Sequence, residues 1–134
     1  MKKMTIDSSV IIASLLEKEP RHREASQIWE SIQTGDNVAI MPYSVFVEVV
    51  AAIRRRTGSD DLSREVKQAI LSIENVSFTV LDQKTAEAAA DLAIQTRLRG
   101  MDALVVQTAV EFGGELVTFD DEMMKRAEVV LKKK

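Results

Sequence analysis

The chain has 134 residues and a net charge of −3, with 46% apolar residues, 29% charged residues and no cysteine. This length and composition predict one globular domain over residues 1–134 with a hydrophobic core, and they exclude a disordered chain. Disulfides, thiolate metal sites and multi-histidine zinc or iron sites are excluded as well, because His22 is the only histidine, so any metal would be an oxygen-preferring ion such as Mg²⁺ or Mn²⁺.

Hydropathy and charge bear on whether the chain has a membrane or a nucleic-acid partner. No window approaches the roughly 18 apolar residues that a membrane helix needs, so we expect a cytoplasmic protein with no membrane partner. The negative net charge argues mildly against a nucleic-acid partner. Cations are nevertheless concentrated at Arg54–Arg56, at Arg97 and Arg99, and at Lys132–Lys134. The overall charge therefore does not decide whether the chain binds nucleic acid.

Short apolar or β-branched segments alternate along the chain with segments of helical periodicity. Strands are predicted, in chain order, over residues 3–7, 38–41, 77–81 and 116–118, with 129–131 as a candidate edge strand. Apolar residues spaced three or four apart predict helices over residues 10–16, 25–32, 43–56, 62–73, 83–98, 102–112 and 120–127. Ser8 or Ser9 can cap the first helix, and Gly100 is predicted to follow the C-terminus of the fifth.

Strands that are mostly apolar and separated by helices indicate a parallel sheet with helices on both faces. The predicted fold class is therefore a three-layer α/β/α domain with a short, mostly parallel sheet of four to five strands. In such sheets, ligands bind beyond the carboxyl ends of the strands, where the strand order reverses. Asp7 and Asp120 lie at or just past the carboxyl ends of two predicted strands, which is where a site is expected.

Three acidic residues stand near predicted helix starts, and each has a purely structural alternative. Asp7 follows the first strand, Asp102 follows Gly100-Met101, and Asp120 follows the fourth strand. Asp side chains often cap helices or lie in a first turn, where the helix dipole favours a negative charge. Two serines follow Asp7 and could cap equally well. Position alone therefore leaves both capping and function open for these residues.

Glu48 lies in the middle of a predicted apolar helix and is harder to explain structurally. An exposed helical Glu usually has a cation three or four residues away, but those positions are Ala51 and Ala52. Burying an unpaired carboxylate costs several kcal/mol, and a divalent metal or a distant arginine would remove that cost. Both explanations remain open for Glu48.

Taken together, the four acidic residues indicate a metal site more strongly than any of them does alone. Cleavage of a phosphodiester needs an activated water and neutralisation of the charge that develops on phosphorus. Two divalent ions held by a few carboxylates provide both, with no histidine acting as general base. This chemistry suits a chain with a single histidine.

On these residues the sequence resembles the PIN-domain nucleases, and most of all the VapC toxins of VapBC toxin–antitoxin pairs. The resemblance covers essentially the whole chain. Its pieces are Ile6-Asp7-Ser8-Ser9, Glu48 after Pro42-Tyr43-Ser44, Gly100-Met101-Asp102-Ala103, and the segment Gly113-Gly114-Glu115-Leu116-Val117-Thr118-Phe119-Asp120. Each piece is weak singly, but their order and spacing are specific.

The resemblance implies a set of catalytic, metal-binding acids: Asp7, Glu48, Asp102 and Asp120. Ser9 and Thr118 match hydroxyl residues that support the site by hydrogen bonds. It further implies endonucleolytic cleavage of RNA with Mg²⁺ or Mn²⁺, leaving a 5′-phosphate. For the toxin branch it implies a homodimer and a small antitoxin protein that inserts a segment into the acidic groove.

Three alternatives stay open at this point. Asp121 directly follows Asp120 and could replace it, although the spacing from Thr118 favours Asp120. The chain could be a PIN-like module that binds RNA or a protein without cutting. A receiver-like phosphoacceptor domain, with Asp82 as the acceptor, has a similar length and architecture. Such a domain needs an acidic pair beside the first strand and a lysine late in the sheet, and this chain has neither.

Overall fold

The computed structural model describes residues 1–131, so the cationic run Lys132–Lys134 lies outside the described residues. The strands β1 to β4 span Lys3–Ile6, Val38–Pro42, Val76–Thr79 and Glu115–Val117. The helices α1 to α7 span Ser8–Leu15, His22–Gln33, Tyr43–Thr57, Asp60–Leu71, Gln83–Thr96, Gly100–Phe112 and Asp121–Leu131. None of these helices is both long enough and apolar enough to cross a membrane.

The strands form one sheet in the order β3-β2-β1-β4, and every pair is parallel. Successive residues of a strand point to opposite faces, and both Thr5 and Ile6 of the inner strand β1 are fully buried. Both faces are therefore covered, as the predicted α/β/α fold class requires. The strand order reverses at β1, because β2 follows on one side of it and β4 lies on the other.

The core lies on both sides of β1 and β2. Helix α6 is the most deeply placed helix, and it packs against both of these strands. Its Val105 and Val106 are buried, which explains why this helix is apolar almost all round. Helix α3 presents Val45, Val49 and Ile53 to the same core at helical spacing. These contacts fix the first turn of α6 and the middle of α3 relative to the end of β1.

The end of α5 differs from the prediction. Helix α5 ends at Thr96, and Arg97, not Gly100, takes the left-handed conformation with φ 63°. The Thr96 hydroxyl donates to Leu92 O and accepts from Leu98 N, and Leu98 is buried. Helix α5 therefore ends before the predicted residue, because the Thr96 hydrogen bonds and the burial of Leu98 direct the chain back into the core. Gly100 instead begins α6, which places Asp102 within the first turn rather than at the helix start.

Two strand predictions also need correction. Strand β3 begins at Val76 and ends at Thr79, because its partner β2 ends at Pro42 opposite Thr79, so Val80 and Leu81 are exposed. Residues 129–131 are not an edge strand but the last turn of α7. The core contacts of α7 have helical spacing, and they come from Met123, Met124, Ala127, Val130 and Leu131. The sheet has four strands within residues 1–131.

The turn into β4 passes so close to β1 that it requires a glycine. A Cβ on Gly114 would lie 2.7 Å from Thr5 Oγ1 and 3.4 Å from Thr5 N. Thr5 is fully buried and cannot move aside. We expect Gly114→Ala to lower the free energy of unfolding by about 1–3 kcal/mol, the usual cost of overpacking, as measured by urea denaturation.

Gly100→Ala is the matched control, because a Cβ there meets nothing within 4 Å. It should be neutral or slightly stabilising, since alanine has the higher helix propensity. Equal stability of the two variants would contradict a close approach of β4 to β1.

Candidate active site

Asp7 follows β1 and is held by two hydroxyl groups. It is buried, with 6% of its surface exposed. Its Oδ2 accepts hydrogen bonds from Ser9 Oγ (2.8 Å) and Thr118 Oγ1 (3.0 Å). Asp7 occupies the N-cap position of α1, but its side chain makes no capping hydrogen bond, and neither serine caps the helix. The capping alternative therefore does not account for Asp7, whose carboxylate is oriented by residues from two strand ends.

The same two hydroxyls also bind the segment that follows β4. Ser9 Oγ accepts from Phe119 N (3.3 Å), and Thr118 Oγ1 accepts from Asp120 N (3.0 Å). Asp7 N in turn donates to Val117 O (2.9 Å). Each hydroxyl thus donates to the Asp7 carboxylate and accepts from the neighbouring backbone. This arrangement fixes Asp120 close to Asp7 across the β1–β4 pair.

Asp120 combines a capping role with a place beside the other acids. Its Oδ1 accepts from Met123 N (3.0 Å), so the capping alternative holds for this residue. Its charge nevertheless raises the pKa of Asp102, as described below. Asp121, the alternative considered from the sequence, lies in the first turn of α7 and is exposed, as Asp120 is. Asp120, and not Asp121, is among the main charges that raise the pKa of Asp102.

Asp102 is the residue on which the charges of the other acids converge. Partial burial raises the pKa of its carboxyl group above the ordinary value, and the negative charges of Asp7, Asp120 and Glu48, in that order, raise it further. Arg99 opposes them and lowers it. A first-turn position favours a negative charge, but burial and repulsion outweigh that effect. The four acids predicted from the sequence are therefore electrostatic neighbours.

Glu48 approaches Asp102 from helix α3. It is half-buried and forms no ion pair within residues 1–131. Together with Asp102 it lines a groove of about 620 Å³ whose other wall is formed mainly by alanines of α5. No arginine from elsewhere in the described chain neutralises Glu48, so that structural alternative does not apply.

The donor set of this cluster suits a hard divalent cation. The four carboxylates and the hydroxyls of Ser9 and Thr118 offer oxygen only, which is the preference of Mg²⁺ and Mn²⁺. However, no group of three or more acidic or histidine side chains within residues 1–131 already stands close enough together to hold an ion. Like charges that share a site repel one another, and a cation bound between these carboxylates would offset that repulsion.

The remaining titratable candidates lie outside the cluster. His22 begins α2, and its ring nitrogens contact Ala13 O and Ser26 Oγ. Asp82 caps α5 by accepting from Thr85 N (2.8 Å), and this hydrogen bond lowers the pKa of its carboxyl group. Arg99 is the neighbour that sequence reasoning did not assign to the site. The sequence offered two signals for it: its position directly before Gly100-Met101-Asp102 and its place beside Arg97 among the concentrated cations.

Comparison with known proteins identifies the family and the fold of the chain. A family model of the PIN domain matches residues 4–129, so the chain belongs to the PIN-domain family. Its fold resembles the crystal structure of Mycobacterium tuberculosis VapC20, a sarcin–ricin loop cleaving toxin, with a TM-score of 0.76. That match has 19% identity and covers 92% of this chain and 94% of the other. A sequence search of curated proteins found no match.

The raised pKa of Asp102 predicts a stability effect in metal-free solution. The folded-state pKa lies above the ordinary value of 3.8, so ionisation of Asp102 costs stability progressively as the pH rises above 3.8, and the full cost is present above the folded-state pKa. Asp102→Asn should therefore raise the melting temperature at pH 7 in EDTA, and this gain should disappear near pH 3.

Asp91→Asn, an equivalent change on the exposed face of α5, serves as the control and should leave the melting temperature nearly unchanged. A melting temperature of Asp102→Asn at or below that of the wild type at pH 7 would contradict the raised pKa of Asp102.

Proposed function

We propose that this protein is a metal-dependent endoribonuclease that cleaves RNA with Mg²⁺ or Mn²⁺, and that Asp7, Glu48, Asp102 and Asp120 are its catalytic, metal-binding acids. The observation that carries the proposal is that the four acids come from four separate segments to one site and that none of them forms an ion pair within residues 1–131. The charges of the other three acids accordingly help to raise the pKa of Asp102. Structural carboxylates are normally paired with cations, whereas repulsion of this kind is typical of sites that hold a metal.

The side chains have distinct roles in this proposal. Asp7 has one oxygen held by two hydroxyls, which leaves Oδ1 to face a cation in a fixed direction. Asp120 likewise uses Oδ1 for Met123 N and keeps Oδ2 for the site. Asp102 and Glu48 approach from α6 and α3. Ser9 and Thr118 support the site by fixing Asp7 and the backbone after β4.

A bound divalent ion would activate a water and offset the charge that develops on the phosphate. The chain contributes the orientation of the carboxylates, and the partial burial of Asp102 strengthens their interaction with a cation. No histidine is placed to take a proton from this water, since the ring of His22 is hydrogen-bonded to Ala13 O and Ser26 Oγ at the start of α2. Among the described residues, the four carboxylates are therefore the groups that would hold the ion and orient the water.

The proposal extends to the toxin of a toxin–antitoxin pair, with a small antitoxin as partner and a homodimer as the assembly. The family membership and the VapC20-like fold support this extension. Exposed apolar side chains, among them Val47, Val80 and Leu81, offer a surface that a protein partner would cover. Light scattering measures the assembly, and a short reading frame beside the gene that prevents toxicity on co-expression would identify the antitoxin.

Cleavage of RNA tests the central part of the proposal. Wild-type protein should cut single-stranded RNA, or an RNA containing the sarcin–ricin loop, in Mg²⁺ or Mn²⁺ but not in EDTA. Asp7→Asn should lower the rate by about 100-fold or more, since even changes to groups that only orient ligands cost 10- to 100-fold. Asp120→Asn should lose activity to a similar degree.

Asp121→Asn is the matched control for Asp120→Asn. Both substitutions remove one charge at the start of α7, but it is Asp120 whose charge is among the main causes of the raised pKa of Asp102. Asparagine also caps helices well, so neither variant should unfold. Equal activity of the wild type and Asp7→Asn would overturn the proposal. Metal-independent RNA binding without cleavage would instead favour a non-catalytic module.

A further inference from the structure

A second, polar cleft adjoins the acidic cluster on the side away from Glu48. It has a volume of about 340 Å³ and is lined by Asp102 and Asp120 together with Arg97, Arg99 and Arg126. Arg99 and Asp102 also border the groove that contains Glu48, so the two cavities share these residues. The cleft therefore places three guanidinium groups beside Asp102 and Asp120, at the edge of the acidic cluster.

The three arginines differ in what they bind. Arg126 is already engaged, because its Nε donates to Glu122 Oε2 (2.6 Å) and its Nη1 to Arg97 O (3.0 Å). The side chains of Arg97 and Arg99 are exposed, and neither forms an ion pair or a hydrogen bond with any residue in 1–131. Two cations are therefore free to bind a ligand at this edge.

The backbone around Arg97 is costly to form and firmly held. Arg97 is the only non-glycine residue with a positive φ in the described chain, although glycine is the residue favoured at this position of a helix end. Arg126 fixes its carbonyl, and the buried Leu98 anchors the next residue. An arginine side chain that forms no ion pair or hydrogen bond within residues 1–131 does not offset this strain, which indicates a role in binding.

We propose that Arg97 and Arg99 bind a backbone phosphate of the RNA next to the one that is cleaved, and so position the strand over the acidic cluster. This inference rests on the proposed function. RNA approaching four carboxylates is repelled, and cations at their edge offset that repulsion. Guanidinium groups match the spacing of phosphate oxygens. Arg97 and Arg99 are thus positioning residues, and a contact to phosphate carries no base specificity.

Binding of a fluorescein-labelled single-stranded oligouridylate tests the proposal, with Ca²⁺ replacing Mg²⁺ so that affinity is measured by anisotropy. Arg97→Gly and Arg99→Gln should each weaken binding about tenfold, the effect of losing one charged hydrogen bond. Each should also reduce the slope of log K against log salt by about 0.7, the value for one phosphate contact to a single strand.

Thermal unfolding separates binding from folding. Arg97→Gly relieves the left-handed strain, so its melting temperature should equal or exceed that of the wild type while its affinity for RNA falls. A purely structural role for Arg97 predicts no loss of affinity. Arg99→Gln provides an independent measurement at a position without backbone strain. Arg64→Gln, on helix α4 outside the cleft, removes the same charge and should change neither affinity nor slope.

The outcomes distinguish the two proposals. If the wild type binds and cleaves RNA but both cleft variants behave like Arg64→Gln, the phosphate assignment is overturned and the proposed function stands. If the wild type neither binds nor cleaves RNA, the proposed function fails and this inference fails with it. Polyglutamate that binds as tightly as the oligouridylate, with the same losses in both variants, would identify a carboxylate ligand and overturn the assignment to phosphate.

Discussion

The parallel pairing of β1 with β4 is the contact on which the candidate site depends. It joins segments more than a hundred residues apart, since Thr118 Oγ1 donates to the Asp7 carboxylate across a separation of 111 residues. Asp7 N continues the ladder by donating to Val117 O. Strand order reverses at β1, so the two chain segments diverge beyond this pair and leave space for a ligand between them. The close turn at Gly114 permits the pairing.

The candidate site also depends on an electrostatic arrangement that is unfavourable for folding. Asp102 is partly buried and repelled by three other carboxylates, and Arg99 offsets only part of that repulsion. A fold does not need such an arrangement, and it costs stability that a bound divalent cation would return. Ser9 and Thr118 hold Asp7 in place against this repulsion. The site therefore combines rigid support with uncompensated charge, as expected of a protein that binds a cation and then a phosphodiester.

Much of this organisation could be predicted from the sequence, because it depends on local periodicity. The apolar spacing in α3 and α6 was predicted correctly, and so were the α/β/α class and the presence of a strand before Asp7 and before Asp120. The prediction failed where tertiary contacts decide. Arg97 ends α5 because Leu98 is buried, and residues 129–131 stay helical because Val130 and Leu131 reach the core. No local sequence pattern predicts the burial of Leu98 or the core contacts of Val130 and Leu131. Glu48 and Asp102 lie on different helices, so only their order along a known family indicated that they meet.

Paramagnetic NMR with Mn²⁺ tests the central claim most directly, namely that the four carboxylates form one cation site. Substoichiometric Mn²⁺ should selectively broaden the backbone amide signals of Asp7, Glu48, Asp102 and Asp120 in the ¹⁵N-labelled protein, because these residues come from four separate segments that meet only here. Excess Mg²⁺ should restore the signals, and Asp7→Asn should weaken the effect. Uniform broadening, or broadening confined to other acidic segments such as Asp60-Asp61, would contradict a shared site.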